Sequence, residues 1–340
     1  MRTITLAILL FGTMASVAQA AQPPQATQPA AGAAAGAIAA ASGEFASFGV
    51  SFTPPAGWVR VPEGSTGMIA RWIAASPQQW PPAAIVTIEV EPAAGRTAAQ
   101  YAEQGATRTR GKVTPTDAVI GGLKATSVTG GTVADGMPAS SLLVARGDYI
   151  YVIGGLATTQ EQIPRAAMVA LGKSVVFRDL VESWQSTMLS DPPFEVLNKM
   201  TLAPLANMRP SPRPVDPGHV FIVTYNYVAR RIDFTLDVQV VPNPKHVDLR
   251  TLGQNITAKL GGANIDWGIT KGVPRRAISR TFKAAIPGGP ELTSRVGLVQ
   301  INGDDVALLT FIFANPDPAA LAAYERSSEE IVRSVQPMKK

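Results

Sequence analysis

Glu89 and Glu91 are the acidic residues whose spacing first suggests chemistry. They lie two apart at the end of Ala84–Val90, whose apolar content reads as a β-strand, so both project from one face. Glycoside hydrolysis needs two carboxyl groups about 5–9.5 Å apart across a substrate. A single strand face offers no opposing wall, and the pair reads as a solvated strand end. His219 and His246, the two histidines, stand in separate loop-like contexts, which argues against a histidine-rich metal site and against a histidine-dependent triad. Gly172-Lys173-Ser174 looks like the end of a phosphate-binding loop. The upstream glycine that such a loop requires is replaced by Ala167, and the stretch falls within an expected helix. Asp304-Asp305 sit in a tight turn, where Asp is favoured for backbone reasons rather than for calcium. Asn255-Ile-Thr257 is a glycosylation pattern inside a helix with Ile256 facing inward. The chain has no Gly-x-Ser-x-Gly elbow and no cysteine, so disulfides, thiolate metal sites and a cysteine nucleophile are excluded. No catalytic, cofactor-binding or metal-ligating residue is assigned.

Three residues are assigned to partner contact. Trp80, between Gln78-Gln79 and Pro81-Pro82, is a large aromatic in a loop, a type often found anchoring interfaces and, more often, packed as a plug of its own loop. Arg275 and Arg276, with Arg280 and Lys283, make a basic strand edge. Such an edge suits an acidic partner, and equally suits protection against edge-to-edge aggregation.

The elements that must position these residues are strands and hairpins. Ala139 to Gly155 folds back at Arg146-Gly147-Asp148, and Val296 to Phe313 repeats the pattern at Asn302-Gly303. Both outgoing arms are nearly continuous apolar runs, as expected of central strands covered on both faces. Thr97-Ala-Ala-Gln100 forms a capping box at a helix start, and that helix ends near Gly111. Pro164 opens a helix to about Phe177, which Leu180–Trp184 can extend. The second half repeats the order. Lys199–Leu205 is a weak strand, Met208–Gly218 a proline-rich loop, and His219–Val228 and Arg231–Val241 a strand pair. Asp248–Leu260 is a helix, Arg275–Ala285 a strand, and Pro318 to about Val335 the last helix, with Tyr324, Ser328 and Ile331 inward. Thr87-Ile-Glu-Val-Glu-Pro92 is taken to match Thr235-Leu-Asp-Val-Gln-Val-Val-Pro242. The spacing of the two halves is too long for a solenoid repeat.

Of the 340 residues, 46% are hydrophobic, enough for two packed cores. The 30 Lys and Arg against 25 Asp and Glu give a net charge of only +5. With no dense basic tract, a nucleic-acid partner is not expected. Met1–Ala20 reads as a secretory signal: Arg2, an apolar run from Ile4 to Phe11, and Ala18-Gln19-Ala20 at the cleavage site. The run is too short to span a bilayer, which takes about 20 residues, and no transmembrane segment is expected after cleavage. Residues 21–42 are an Ala/Pro/Gln tether too poor in large apolar groups to order itself.

The layout resembles the MOG/PsbP/DcrB-like group of α/β/α sandwich domains. The residues carrying the likeness are Phe48-Gly-Val-Ser-Phe-Thr-Pro-Pro-Ala-Gly-Trp58, the helix from Thr97, the hairpin around Gly147 and the helix from Pro164. It extends more loosely over Asn198–Val335, where the Gly-Trp is missing. The resemblance implies binding, scaffold or chaperone-like roles and carries no catalytic motif. The expected fold is α+β: two tandem α/β/α sandwiches over residues 43–178 and 194–340, joined by a linker at 179–193. Each holds a largely antiparallel sheet of about six strands flanked by helices. The expected protein is periplasmic or secreted and non-enzymatic, and it contacts an envelope or extracellular protein. The alternatives are a small-ligand or lipid carrier, requiring a dry cavity, and a secreted hydrolase with an unrecognised carboxylate site, requiring a deep pocket and shifted acids.

Overall fold

A computed structural model describes residues 45–338 except 62, 66, 75–81, 134–135, 192, 212–217, 260–267, 270–276, 286–290 and 316. The chain forms two compact units. The first runs from Val50 to Arg178; the second comprises Asp179–Lys340 together with the 3₁₀ turn Ala46–Phe48. Phe48, expected to open a strand, lies in that turn. Its ring meets Tyr227 at 5.6 Å and lies 4.9 Å from the Arg209 guanidinium.

The first unit is a seven-stranded sheet. Its members are β2 (Trp58–Val61), β3 (Met68–Ala74), β4 (Ala84–Pro92), β5 (Lys112–Thr114), β8 (Thr126–Thr132), β9 (Pro138–Arg146) and β10 (Tyr149–Ala157). Two short pairs lie outside it. They are β6 (Val119–Ile120) with β7 (Leu123–Lys124), and β1 (Val50–Ser51) with β11 (Val176–Phe177). The order β2-β3-β4-β10-β9-β8-β5 is antiparallel throughout. All nine residues of β10 are buried, because helices cover both sides of the sheet. Helix α1 (Ala98–Thr109) packs Tyr101, Ala102 and Ala106 on Val128, Leu143, Ile150 and Val152. Helix α2 (Arg165–Ser174) lies over the opposite face, where Gly155 passes so close to Met168 that a Cβ would stand 2.4 Å from its sulfur.

α1 starts at the expected capping box: Gln100 N donates to Thr97 Oγ1 at 3.2 Å and Thr97 N to Gln100 Oε1 at 2.9 Å. α2 stops at Ser174, three residues before the expected end, since Val176 and Phe177 leave the helix to pair with Ser51 and Val50. Leu180–Trp184 does not extend it; Ser183–Gln185 is a separate 3₁₀ turn.

The second unit has the same strand order. Here β14 (Met208–Pro210), β15 (His219–Asn226), β16 (Arg231–Pro242), β17 (Gly268–Ile269), β18 (Ala277–Ala285), β19 (Glu291–Gln300) and β20 (Asp305–Phe313) run β14-β15-β16-β20-β19-β18-β17. A side sheet joins β12 (Phe194–Val196), β13 (Met200–Leu202) and β21 (Gln336–Pro337). Helix α3 (Leu249–Lys259) covers Ile278, Leu298 and Val306. Helix α4 (Pro318–Ser334) covers the other face, with Tyr324, Ser328 and Ile331 buried as its periodicity requires. Each sheet thus has seven strands rather than about six. The additional ones are three-residue or two-residue edge strands, too short to show a period of two. One of them, Met208–Pro210, stands where a proline-rich loop was expected.

Candidate functional site

The face of β4 beneath α1 carries Thr87, Glu89 and Glu91, while Val86, Ile88 and Val90 face the other way. On the neighbouring β10, Val152 stands opposite Glu89 and Ile150 opposite Glu91. Both belong to the apolar cluster around Tyr101. A sheet with a helix on each side has no wet face there, so Glu89 is 8% exposed rather than solvated at a strand end.

What surrounds the acids is partly polar. Thr87 Oγ1 donates to Glu89 Oε1 at 2.9 Å. Gly154 makes room for Thr87: a Cβ there would come within 2.6 Å of its hydroxyl oxygen. Gly67 does the same for Glu91, where a Cβ would lie 2.5 Å from Oε1. Its carbonyl meanwhile accepts from Val90 N at 2.8 Å. Arg71 on β3 lies between the fields of Glu63 and Glu89. Arg96 stacks 4.8 Å over the Tyr101 ring and donates to Ala93 O at 3.0 Å. The Tyr101 hydroxyl is buried without a hydrogen-bond partner among the described residues.

Burial moves these groups together. It raises Glu89 to about 7, against the opposing Thr87 hydrogen bond and the Arg71 charge. It raises Glu91 to about 8, reinforced by Glu89 and opposed by Arg96 and Arg108. Burial also pushes the Tyr101 phenol up, with Glu91 and Glu89 adding to the effect. It lowers Arg71 against the pull of Glu63 and Glu89. The pair therefore holds protons near neutral pH. The two side chains project from one face of one strand, two residues or about 6.8 Å of backbone apart, so they do not face each other across a substrate. A trough of 480 Å³ runs along α1 past Arg96, Gln100 and Arg108. A pocket of 220 Å³ lies beside β8 and β9, and a void of 10 Å³, about one water in size, lies under α1. Neither Glu89 nor Glu91 lines any of the three.

A second buried acid, Asp233 on β16, is 0% exposed and fully provided with donors. It accepts from Ser183 Oγ at 3.0 Å, Asn226 Nδ2 at 2.6 Å, Arg231 Nε at 2.8 Å and Asn315 Nδ2 at 2.8 Å. Tyr324 Oη lies 2.7 Å from Ser183 Oγ, and Asn207 Nδ2 donates to Ser183 O at 2.9 Å. This is a structural knot that ties the 3₁₀ turn at Ser183 and α4 to the sheet.

Trp80, Arg275 and Arg276 lie outside the described residues. Arg280 and Lys283 are exposed on β18, which pairs with β19 along its length and with β17 only at Ile278 and Ser279. His219 Nδ1 sits 3.1 Å from Asp237 Oδ1, and His246 Nδ1 sits 2.9 Å from Gly303 O; the two are in separate places. Among the described residues no group of three His, Asp or Glu is placed to hold a metal. Gly172 and Ser174 are helical, and the Ser174 hydroxyl accepts from Thr53 N at 3.1 Å. Asp304 N and Asp305 N both donate to Asn302 Oδ1, at 2.8 and 2.9 Å, in the turn as expected. Arg71, Tyr101 and Gly67 escaped sequence reasoning. The available signal was Glu89 itself, in a strand that pairs with a wholly apolar one.

No protein-family model matches the chain, and no curated protein sequence does. Solved structures resemble parts of it. The Ran-binding protein Mog1p of Saccharomyces cerevisiae is 13% identical, with a TM-score of 0.33 over 44% of this chain and 95% of its own. A variant of protein Mog1 is 13% identical, with a TM-score of 0.30 over 40% of this chain and 89% of its own. A Bacteroides thetaiotaomicron protein is 12% identical, with a TM-score of 0.29 over 42% of this chain and 46% of its own. No membrane-crossing helix is found among the described residues.

Proposed function

We propose that this is an exported, non-enzymatic binding protein, built of two copies of one α/β/α sandwich and acting through contact with another protein of the cell envelope or exterior. The observation that carries the contact reading is the state of the sheet edges. β2 and β5 end the first sheet, and each presents an apolar side chain to solvent: Val59 at 51% and Val113 at 41% exposure. An open strand with apolar side chains is the surface to which an extended segment of a partner adds by backbone hydrogen bonds. The closed setting of Glu89 and Glu91, which line none of the three cavities, favours this over hydrolysis.

The copy reading is supported by matching details. In both units the chain entering the first strand pairs with the residues that follow the last helix, Ser51 with Val176 and Thr201 with Gln336. In both, a serine near the end of that helix grips the same strand: Ser174 with Thr53, and Ser334 with Ala203. Sheet register also pairs Pro92 with Pro242 as equivalents, because each stands beside the turn of its hairpin. It sets Thr87 against Asp237, not Thr235, since each lies five residues before its proline. Export is supported by the signal pattern of Met1–Ala20.

The test places a photo-crosslinking residue at Val59, Val113 or the exposed helical Thr107 of the full chain expressed in cells. One envelope protein captured from Val59 or Val113, and not from Thr107, is the expected result. Absence of any protein adduct from both edge positions would overturn the reading.

A further inference from the structure

The second unit is built from two stretches of chain. Residues 45–49 belong to it, Val50–Arg178 forms the first unit, and Asp179 onward completes the second. The chain leaves the second unit at Gly49 and returns to it at Asp179, so the first unit is an insertion in the second. The departing stretch is one 3₁₀ turn, in which Phe48 N donates to Phe45 O and Gly49 N to Ala46 O, both at 3.0 Å. Gly49 closes it at φ +68°, a left-handed geometry that glycine adopts without strain. Val50 and Ser51 then pair with Phe177 and Val176 of the first unit.

Residues i and i+3 of a 3₁₀ turn eclipse one another, so Phe45 and Phe48 share one side, and both are 2% exposed. The Phe48 ring lies 4.9 Å from the Arg209 guanidinium and 5.6 Å from the Tyr227 ring, tilted at 57° to it. Tyr227 in turn meets Tyr225 edge-on at 4.9 Å. Arg209 is buried on the edge strand β14, where its Nη1 donates to the carbonyls of Ala206 and Met208. The rim of the guanidinium is thus committed to backbone oxygens, and its flat face is what an aromatic ring covers. Such a contact gains strength when it is desolvated. On the corresponding edge strand of the first unit, β2, Val59 stands exposed instead.

We propose that Arg209 and Tyr227 form a socket for a short aromatic turn, and that the chain fills this socket with its own Phe45 to Phe48 turn, a latch that completes the second unit. The occupant's chemistry follows from the contacts. One ring suits the guanidinium face and the tyrosine ring, and the eclipsed geometry of the turn buries a second ring on the same side. Residues 179–340 alone are therefore an incomplete unit. The latch is independent of the edge strands β2 and β5 proposed for protein contact.

The experiment follows hydrogen exchange by mass spectrometry on the full chain, as wild type, Phe48→Ala, Phe48→Leu and Ser47→Ala. Phe48→Ala should accelerate exchange over Met208–Pro210 and residues 225–227 about a hundredfold, the scale of a lost buried ring. It should leave Ala84–Pro92 and Tyr149–Ala157 of the first unit unchanged. A blocked peptide of residues 45–49, added to Phe48→Ala at millimolar concentration, should restore that protection and have no effect on wild type, whose socket is filled. Phe48→Leu keeps an apolar side chain without the ring; it should show the same pattern at smaller size, and it carries the test where the alanine variant does not fold. Ser47→Ala should change neither unit, since Ser47 Oγ is buried without a hydrogen-bond partner among the described residues. Exchange accelerated equally in both units, or unchanged in the second, overturns the latch. A peptide that restores no protection overturns the socket.

Discussion

Glu89 and Asp233 are buried acids on corresponding strands, β4 and β16, and they are provided for in opposite ways. Asp233 is surrounded by donors from four parts of its unit; Ser183, Asn226 and Asn315 are buried with it, and Arg231 reaches it from the surface. Glu89 has the Thr87 hydroxyl and the Arg71 charge on one side, and Val152, Ile150 and the Tyr101 ring on the other. A buried carboxylate with enough donors is a fixed part of the architecture. One set against apolar groups responds to the solvent by taking up a proton. At the positions that register makes equivalent to Glu89 and Glu91, the second unit has Gln239 and Val241. Gln239 meets its partner Asp237 at 2.8 Å. On this face the first unit thus carries two acids with raised pKa values where the second has Gln239 and Val241.

The largest expected effect tests the well-provided acid. Asp233→Ala leaves Ser183, Asn226, Asn315 and Arg231 without their common acceptor. Removing one partner of a buried charged cluster destabilises by about 3–5 kcal/mol, read by urea unfolding of the full chain. A loss below about 1 kcal/mol would mean that the knot is dispensable and that the contrast with Glu89 is empty.

The next effect tests the sparsely provided pair through pH. Both folded-state values lie above the ordinary 4.5, at about 7 for Glu89 and about 8 for Glu91. Below about pH 4.5 both acids are protonated whether folded or not, and the shift has no effect. As pH rises from there, the unfolded chain loses these protons first and the folded chain keeps them, so stability falls until about pH 8 and is then level. For Glu89 alone the fall is about 3 kcal/mol, from roughly 1.36 kcal/mol per pKa unit. The double variant Glu89→Gln, Glu91→Gln should match wild type near pH 5 and exceed it near pH 8. Parallel stability curves for the two proteins across that window would sink the assignment. Gln239→Glu places an acid at the equivalent position of the second unit, where Asp237 and His219 are neighbours instead of Thr87 and Arg71, and so sharpens the comparison.

The apolar framework was legible because its signals are local. Thr97 and Gln100 mark a helix start, Gly147-Asp148 and Asn302-Gly303 mark hairpins, and Pro318 follows an N-cap, Asp317, that accepts from Ala319 N at 2.7 Å. The acid pair was visible but misplaced. The apolar run of Tyr149–Ile153 already implied a sheet with both faces covered, and the same logic, carried to the adjacent strand, puts Glu89 inside. The Asp233 knot was not legible, since Ser183, Asn226 and Asn315 meet only through the fold and no spacing links them.

The smallest effect bears on whether the two units are copies. Ser174 Oγ accepts from Thr53 N at 3.1 Å and donates to Leu171 O at 2.8 Å. Ser334 Oγ accepts from Ala203 N at 2.9 Å and donates to Ile331 O at 2.7 Å. Each serine thus closes the last turn of its helix onto the entering strand of its own unit. Ser174→Ala and Ser334→Ala should each cost about 1 kcal/mol, the usual net value of one hydrogen bond. Hydrogen exchange should accelerate at Thr53 in the first variant and at Ala203 in the second, and not the reverse. Equal costs mean that the clamp is a shared part of one design that both units retain. A cost in one unit and none in the other would mean that the likeness of the two serines is positional only, and the copy reading would then rest on strand order alone.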